Sequence, residues 1–180
     1  MKINSVIDVS DLHEQVKELR KRLLNESDLG GVLISTSFLD ACLASLLQVH
    51  FVQSSVTDKL LNPTSGTLGT FSSKCDVAYC LNLIIKETYK DLILIGQIRN
   101  IFAHNHLKSS FEDKKVHEIC SKLNFPTNYL QSSCKQSNYS DVEQYFENPK
   151  NRFIYTVNCI SDLLLKSIIS KKSKKNAKTI

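Results

Sequence analysis

Apolar residues recur along this chain at intervals of three and four, and nowhere in sustained alternation. That period belongs to helices with one buried stripe. Leu12, Val16, Leu19 and Leu23 form a first stripe, with Glu14, Lys17, Glu18, Lys21 and Arg22 on the wet face and Asp8 or Ser10 as cap. Asn25 to Ser27 ends it, and Ser27 or Asp28 caps a second helix. This one carries Val32, Leu33, Phe38, Leu39, Leu43, Leu46, Leu47 and Phe51 and is apolar around most of its circumference, so it belongs at the centre of a bundle. Gly30 and Gly31 near its start are expected to admit a neighbouring backbone.

Asp58 to Leu61 has room for one short turn of helix. Residues 62–72 are the one long stretch rich in breakers. A third helix is predicted from near Ser72, through Val77, Ala78, Cys80, Leu81 and Ile84. A fourth follows Lys86, carries Tyr89, Leu92, Ile93, Ile95, Ile98 and Phe102, and loses its pattern after His104. Phe111 to Leu123 reads as a fifth, with Pro126 as its stop. Thr127 to Asn138 is polar and reads as a loop, and Ser140 to Phe146 as one or two turns. Pro149 opens a last helix carrying Phe153, Ile154, Val157, Ile160, Leu163, Leu164 and Ile168. The expected fold is all-α: a single-domain helical bundle of five to seven helices over residues 1–170, with a Lys-rich tail at 171–180.

Charge changes this picture at one end only. Six lysines and no acid lie between Lys166 and Ile180, so the net +5 leaves residues 1–165 near −1. Nucleic acid, if bound at all, is expected only through that tail. Of the six cysteines, Cys42, Cys75, Cys80, Cys120, Cys134 and Cys159, four fall in apolar helical patterns and none forms a Cys-x-x-Cys pair. With no apolar core run in Met1 to Asp11, these are read as reduced thiols in a cytoplasmic protein. Ser, Asn, Asp or Lys interrupts every apolar stretch short of a span, so no membrane contact is expected.

The most pointed chemistry is Arg99-Asn100-Ile101-Phe102-Ala103-His104. A His could move a proton on a ribose hydroxyl and an Arg could hold the phosphate, which together give metal-independent RNA cleavage. On one helix, however, Asn100 and His104 share a face while Arg99 stands about 140° from His104. Convergence needs a helix end or a second copy of the chain. The plain alternative is a helix C-terminus closed by a cation. Ser65-Gly66-Thr67-Leu68-Gly69-Thr70 lacks the Gly-Lys-Ser/Thr ending of a phosphate cradle and reads as a tight turn, with Thr70 or Ser72 capping the next helix. His104 and His106 have no nearby acid before Glu112 and Asp113, so neither a metal nor a cofactor is expected.

Several short blocks occur in a fixed order: Glu26-Ser27-Asp28-Leu29-Gly30-Gly31-Val32-Leu33, Ser37-Phe38-Leu39-Asp40, Leu68-Gly69-Thr70-Phe71-Ser72-Ser73-Lys74, Asp91-Leu92, Ile98 to His104, and Arg152-Phe153-Ile154. In order and spacing they resemble the MltR (mannitol operon repressor) family, and the Arg-Asn-x-x-x-His element resembles the HEPN superfamily. The resemblance implies an all-helical fold and transcriptional control, although no helix-turn-helix or basic recognition helix accompanies it. The HEPN likeness implies either ribonucleases with paired Arg and His or non-catalytic partners in toxin systems, and makes Arg99, Asn100 and His104 the positions of interest.

The expected function is therefore a non-catalytic binding protein acting by protein contact. It is read as an immunity or antitoxin-type protein that neutralises a toxin nuclease, or as an MltR-like regulator. The alternative is a HEPN-type ribonuclease, working as a homodimer, that uses Arg99, Asn100 and His104. Tyr129, Tyr139 and Tyr145 are the candidate partner-binding anchors.

Overall fold

The chain is described from a computed structural model. It describes residues 17, 18, 21, 23, 25–104, 109–133 and 139–176, and the side chains of all of these except 133, 139 and 174–176. The predicted first helix lies mostly outside these residues, though 17, 18, 21, 23 and 25 are helical and Leu23 is buried. Eight further helices follow: α1 (Asp28–His50), α2 (Ser55–Leu60), α3 (Phe71–Cys80), α4 (Lys86–His104), α5 (Lys114–Ser121), α6 (Asn124–Ser133), α7 (Tyr139–Glu147) and α8 (Pro149–Asn176). The described residues contain no strand.

The all-α expectation holds. α1 is central, as its wrap-around apolarity requires, and it buries Val32, Leu39, Cys42, Leu43, Leu46 and Leu47 completely. It packs most extensively against α8 and also contacts α3 and α4. α1 and α8 run parallel. At their starts Lys150 pairs with Asp28 at 3.0 Å, and at their far ends His50 shares a groove with Lys166 and Lys171. Both helices are long and apolar enough to cross a membrane by length and composition, but here much of that surface is buried within the bundle. Phe111 sets its ring at a tilt against Phe102 of α4 at 5.5 Å and Phe153 of α8 at 5.4 Å, which links these two helices.

Local chemistry sets most of the boundaries. Ser27 caps α1 by accepting from the Gly30 amide at 3.1 Å. α3 ends at Cys80, before Leu81 and Ile84, because Asn82 adopts φ 54°. The amides of Asn82 and Leu83 turn back to the carbonyls of Tyr79 and Ala78, the closure that an asparagine in the left-handed region allows. The expectation for Gly30 and Gly31 is corrected. A methyl at Gly30 would meet the side chains of Glu26 and Ser27, and one at Gly31 only Leu23, so no backbone approaches either. Close backbone approach occurs instead at Gly66 and Gly69, where an added Cβ would strike the carbonyls of Leu60 and Asn62 respectively.

The second correction concerns Thr127 to Asn138, read as a loop: residues 127–133 belong to α6, and residues 134–138 lie outside the described residues. Pro126 does not stop the preceding helix, which already ends at Ser121. It sits in the first turn of α6, where its missing N–H is not needed. What starts α6 is Asp91, a fully buried residue of α4. Its carboxylate accepts from the Asn124 amide at 2.8 and 3.0 Å, the Asn124 side chain at 2.6 Å and the Phe125 amide at 3.1 Å. Arg152 of α8 secures the other side of the same junction. Its Nε donates to the Cys120 carbonyl at 2.9 Å, and a terminal nitrogen to the Ser121 carbonyl and the Thr127 hydroxyl, both at 3.1 Å. These partners close the exposed end of α5.

Cys42, Cys75 and Cys120 are buried free thiols, each pushed up to about 12 by burial. They stay protonated at neutral pH and pack as small hydrophobes. Cys80 and Cys159 form no disulfide either, and Cys134 lies outside the described residues.

Candidate functional site

Four of the blocks that carry the sequence resemblance meet at one cleft of about 640 Å³. Leu33, Thr36, Ser37 and Asp40 reach it from α1, Thr70 to Ser72 from the start of α3, and Ile93, Gly96, Gln97, Arg99 and Asn100 from α4. The loop between α2 and α3 forms its rim through Pro63 and Gly69.

That loop is tied down from below by Lys74. The Lys74 side chain is 1% exposed, and its ammonium lies 3.0 Å from Asp40 Oδ1. Its directed hydrogen bonds go to the carbonyls of Gly69, at 2.9 Å, and Leu68, at 3.4 Å. A buried ammonium persists only with an opposite charge and its donors used. Lys74 therefore fixes the rim against α1 while the Asp40–Lys74 pair carries no net charge. Asn62 folds the loop by accepting from the amides of Thr64 and Ser65 at 2.9 and 3.0 Å. Thr70 then caps α3 by accepting from the Ser73 amide at 3.2 Å.

The three HEPN-like positions do not gather here. Arg99 and Asn100 line the cleft, joined by an Arg99–Asn100 side-chain hydrogen bond at 3.1 Å. His104 stands exposed at the end of α4 and is not part of the cleft lining. Five residues of helix separate Arg99 from His104, about 7.5 Å of rise as well as the 140° of rotation. His106 lies outside the described residues. Among the described residues no three His, Cys, Asp or Glu side chains come together as metal ligands.

The predicted partner anchors fall on a second face. Tyr129 of α6 packs its ring on Phe146 of α7 and Tyr155 of α8, at 6.0 and 5.6 Å. Phe146 meets Tyr155 at 5.0 Å and Tyr145 at 5.1 Å. The result is an aromatic cluster with Phe146 buried and Tyr129 and Tyr145 exposed at its surface by 39% and 47%. The Tyr155 hydroxyl is pushed above its ordinary pKa by burial and by the neighbouring Cys159. Tyr139 opens α7, and its side chain lies outside those described. Sequence reasoning found Tyr129 and Tyr145 but missed Phe146 and Tyr155, whose part depends on α6 being a helix.

No curated protein sequence matches the chain. Among solved structures, the MtlR–HPr complex from Escherichia coli contains a chain with the same fold, at a TM-score of 0.64. That match covers 83% of this chain and 97% of the other at 16% identity, so it speaks to fold alone. The family model described as mannitol repressor, MtlR, matches residues 15–171. Over nearly its whole described length, from α1 through most of α8, the chain thus belongs to the mannitol repressor (MtlR) family.

Proposed function

We propose that this protein is a non-enzymatic regulator that works by binding another protein through the aromatic face of α6, α7 and α8. The observation that carries this reading is the cluster itself. Two tyrosines stand half-exposed on a base of Phe146 and Tyr155, so their rings are already fixed before any partner arrives. Rigid aromatic anchors of this kind dominate the energy of many interfaces. The structure from Escherichia coli pairs its MtlR with HPr. That pairing and the family both support a regulator bound to an HPr-type protein over an antitoxin bound to a toxin nuclease.

Calorimetric titration with the host's own HPr tests the reading. Tyr129→Ala and Tyr145→Ala should each weaken binding about tenfold or more, the usual scale for an anchor residue. Because both rings are half-exposed, melting temperatures should move little. Unchanged affinity in both variants would remove this face as the contact surface.

Separation of Arg99 from His104 supports the non-enzymatic part. Single-stranded RNA held with the purified chain and no metal should stay intact, and His104→Ala should behave like the parent chain. RNA cleavage that disappears in His104→Ala would reverse this assignment and imply a second copy completing the site.

A further inference from the structure

The parallel run of α1 and α8 gathers an unusual surface at one end of the bundle. α1 closes at His50, and the chain turns into a short segment before α2. Val52 is 80% exposed and Val56 64%, the most exposed large apolar side chains among the described residues. They are not loosely tethered. The Thr57 hydroxyl donates to the Val52 carbonyl at 2.6 Å, Ser54 caps α2 by accepting from the Thr57 amide at 3.3 Å, and the Gln53 side chain donates to the Gln48 carbonyl at 2.7 Å. The segment is held in place with both valines turned to water.

Beside it lies the end of α8. Lys166 and Lys171 share the groove with His50, and Leu163 and Ile169, each three residues from Lys166, are exposed. α8 continues through Lys171 and Lys172 to Asn176, within a stretch of six lysines without an acid. Lys59, Lys166, Lys171 and Lys172 face Asp58 and Asp162, so the balance at this end is positive.

We propose that this end of the bundle docks on an anionic lipid bilayer, resting on the surface without crossing it. Aliphatic side chains beside lysines are the composition of interfacial membrane segments, where the apolar groups enter the headgroup boundary and the lysines meet lipid phosphates. Each lysine near such a surface is worth about fivefold in partition. A nucleic acid would use the lysines equally well, but single strands also call for aromatic stacking partners. The exposed apolar residues here are valine, leucine and isoleucine. The site is separate from the aromatic face, so neither reading depends on the other.

Flotation of the full chain with lipid vesicles tests the proposal. Phosphatidylcholine vesicles containing about a third phosphatidylglycerol should bind at least tenfold better than pure phosphatidylcholine in dilute buffer, and the difference should vanish near 0.5 M salt. Val52→Asp with Val56→Asp should lower binding about tenfold or more without changing the melting temperature. Lys166→Glu with Lys171→Glu should abolish the preference for anionic lipid. Equal binding to both vesicle types would overturn the proposal. So would valine variants that bind like the parent, or an oligoribonucleotide that binds while vesicles do not.

Discussion

Asp40→Ala should destabilise the protein by about 3 kcal/mol, because it leaves the Lys74 ammonium buried without its counter-charge. Lys74 is 1% exposed, and the two carbonyls it also reaches cannot replace a carboxylate. For a chain of this length the loss corresponds to a fall of roughly 6–10 °C in Tm. Lys74→Met should cost less, about 1–2 kcal/mol, since Asp40 is partly open to water and a thioether fills similar volume. The double variant should recover most of the Asp40→Ala loss. Urea unfolding of the four proteins gives the cycle directly. Strict additivity would mean that the two groups do not couple and that Lys74 reaches solvent once Asp40 is removed. The effect should extend to the cleft, because the rim at Gly69 depends on the same ammonium.

The second large effect should come from Asp91. Asp91→Ala removes the acceptor for the first amides of α6 and should cost about 3 kcal/mol. Asp91→Asn keeps one acceptor oxygen and should cost less. The parent chain and Asp91→Asn should also differ in how they respond to pH. Burial raises the Asp91 carboxyl above its ordinary range, against the opposing pull of the Asn124 and Phe125 hydrogen bonds and of Arg152. Its pKa is thus higher folded than unfolded. Between those two values the folded chain keeps a proton that the unfolded chain has released. The stabilisation this provides is complete below the unfolded value and is lost as pH rises through the folded one. Relative to Asp91→Asn, the parent chain should therefore gain stability as pH falls from neutral toward 4. A gap that narrows instead would mean that the hydrogen bonds outweigh burial.

The two residues differ in how visible they are along the chain. Asp91 follows Lys90 in the chain, and nothing local says that it caps a helix begun 33 residues later. Residues 124–133 carry no clear apolar stripe and begin with a proline near their start, so their helix was unreadable until its cap was known. Lys74 looks like any helical lysine, since its partners stand on α1 and in the preceding loop. The distance between Arg99 and His104 was legible from spacing alone, because both lie on one straight helix. Tyr129 and Tyr145 were legible as aromatics in a polar stretch, but not as parts of one cluster with Phe146 and Tyr155.

The sequence by itself determined the all-α class, the central place of α1 and the start at Pro149, and it narrowed two caps to Ser27 or Asp28 and to Thr70 or Ser72. These follow from the period of apolar residues and from hydrogen bonds between near neighbours, both of which are local. Tertiary structure decided the existence of α6, the burial of Lys74, the cleft around Asp40 and Arg99, and the gathering of Val52, Val56 and the α8 lysines at one end. Each of those depends on groups brought together from distant parts of the chain, and packing alone sets which groups meet.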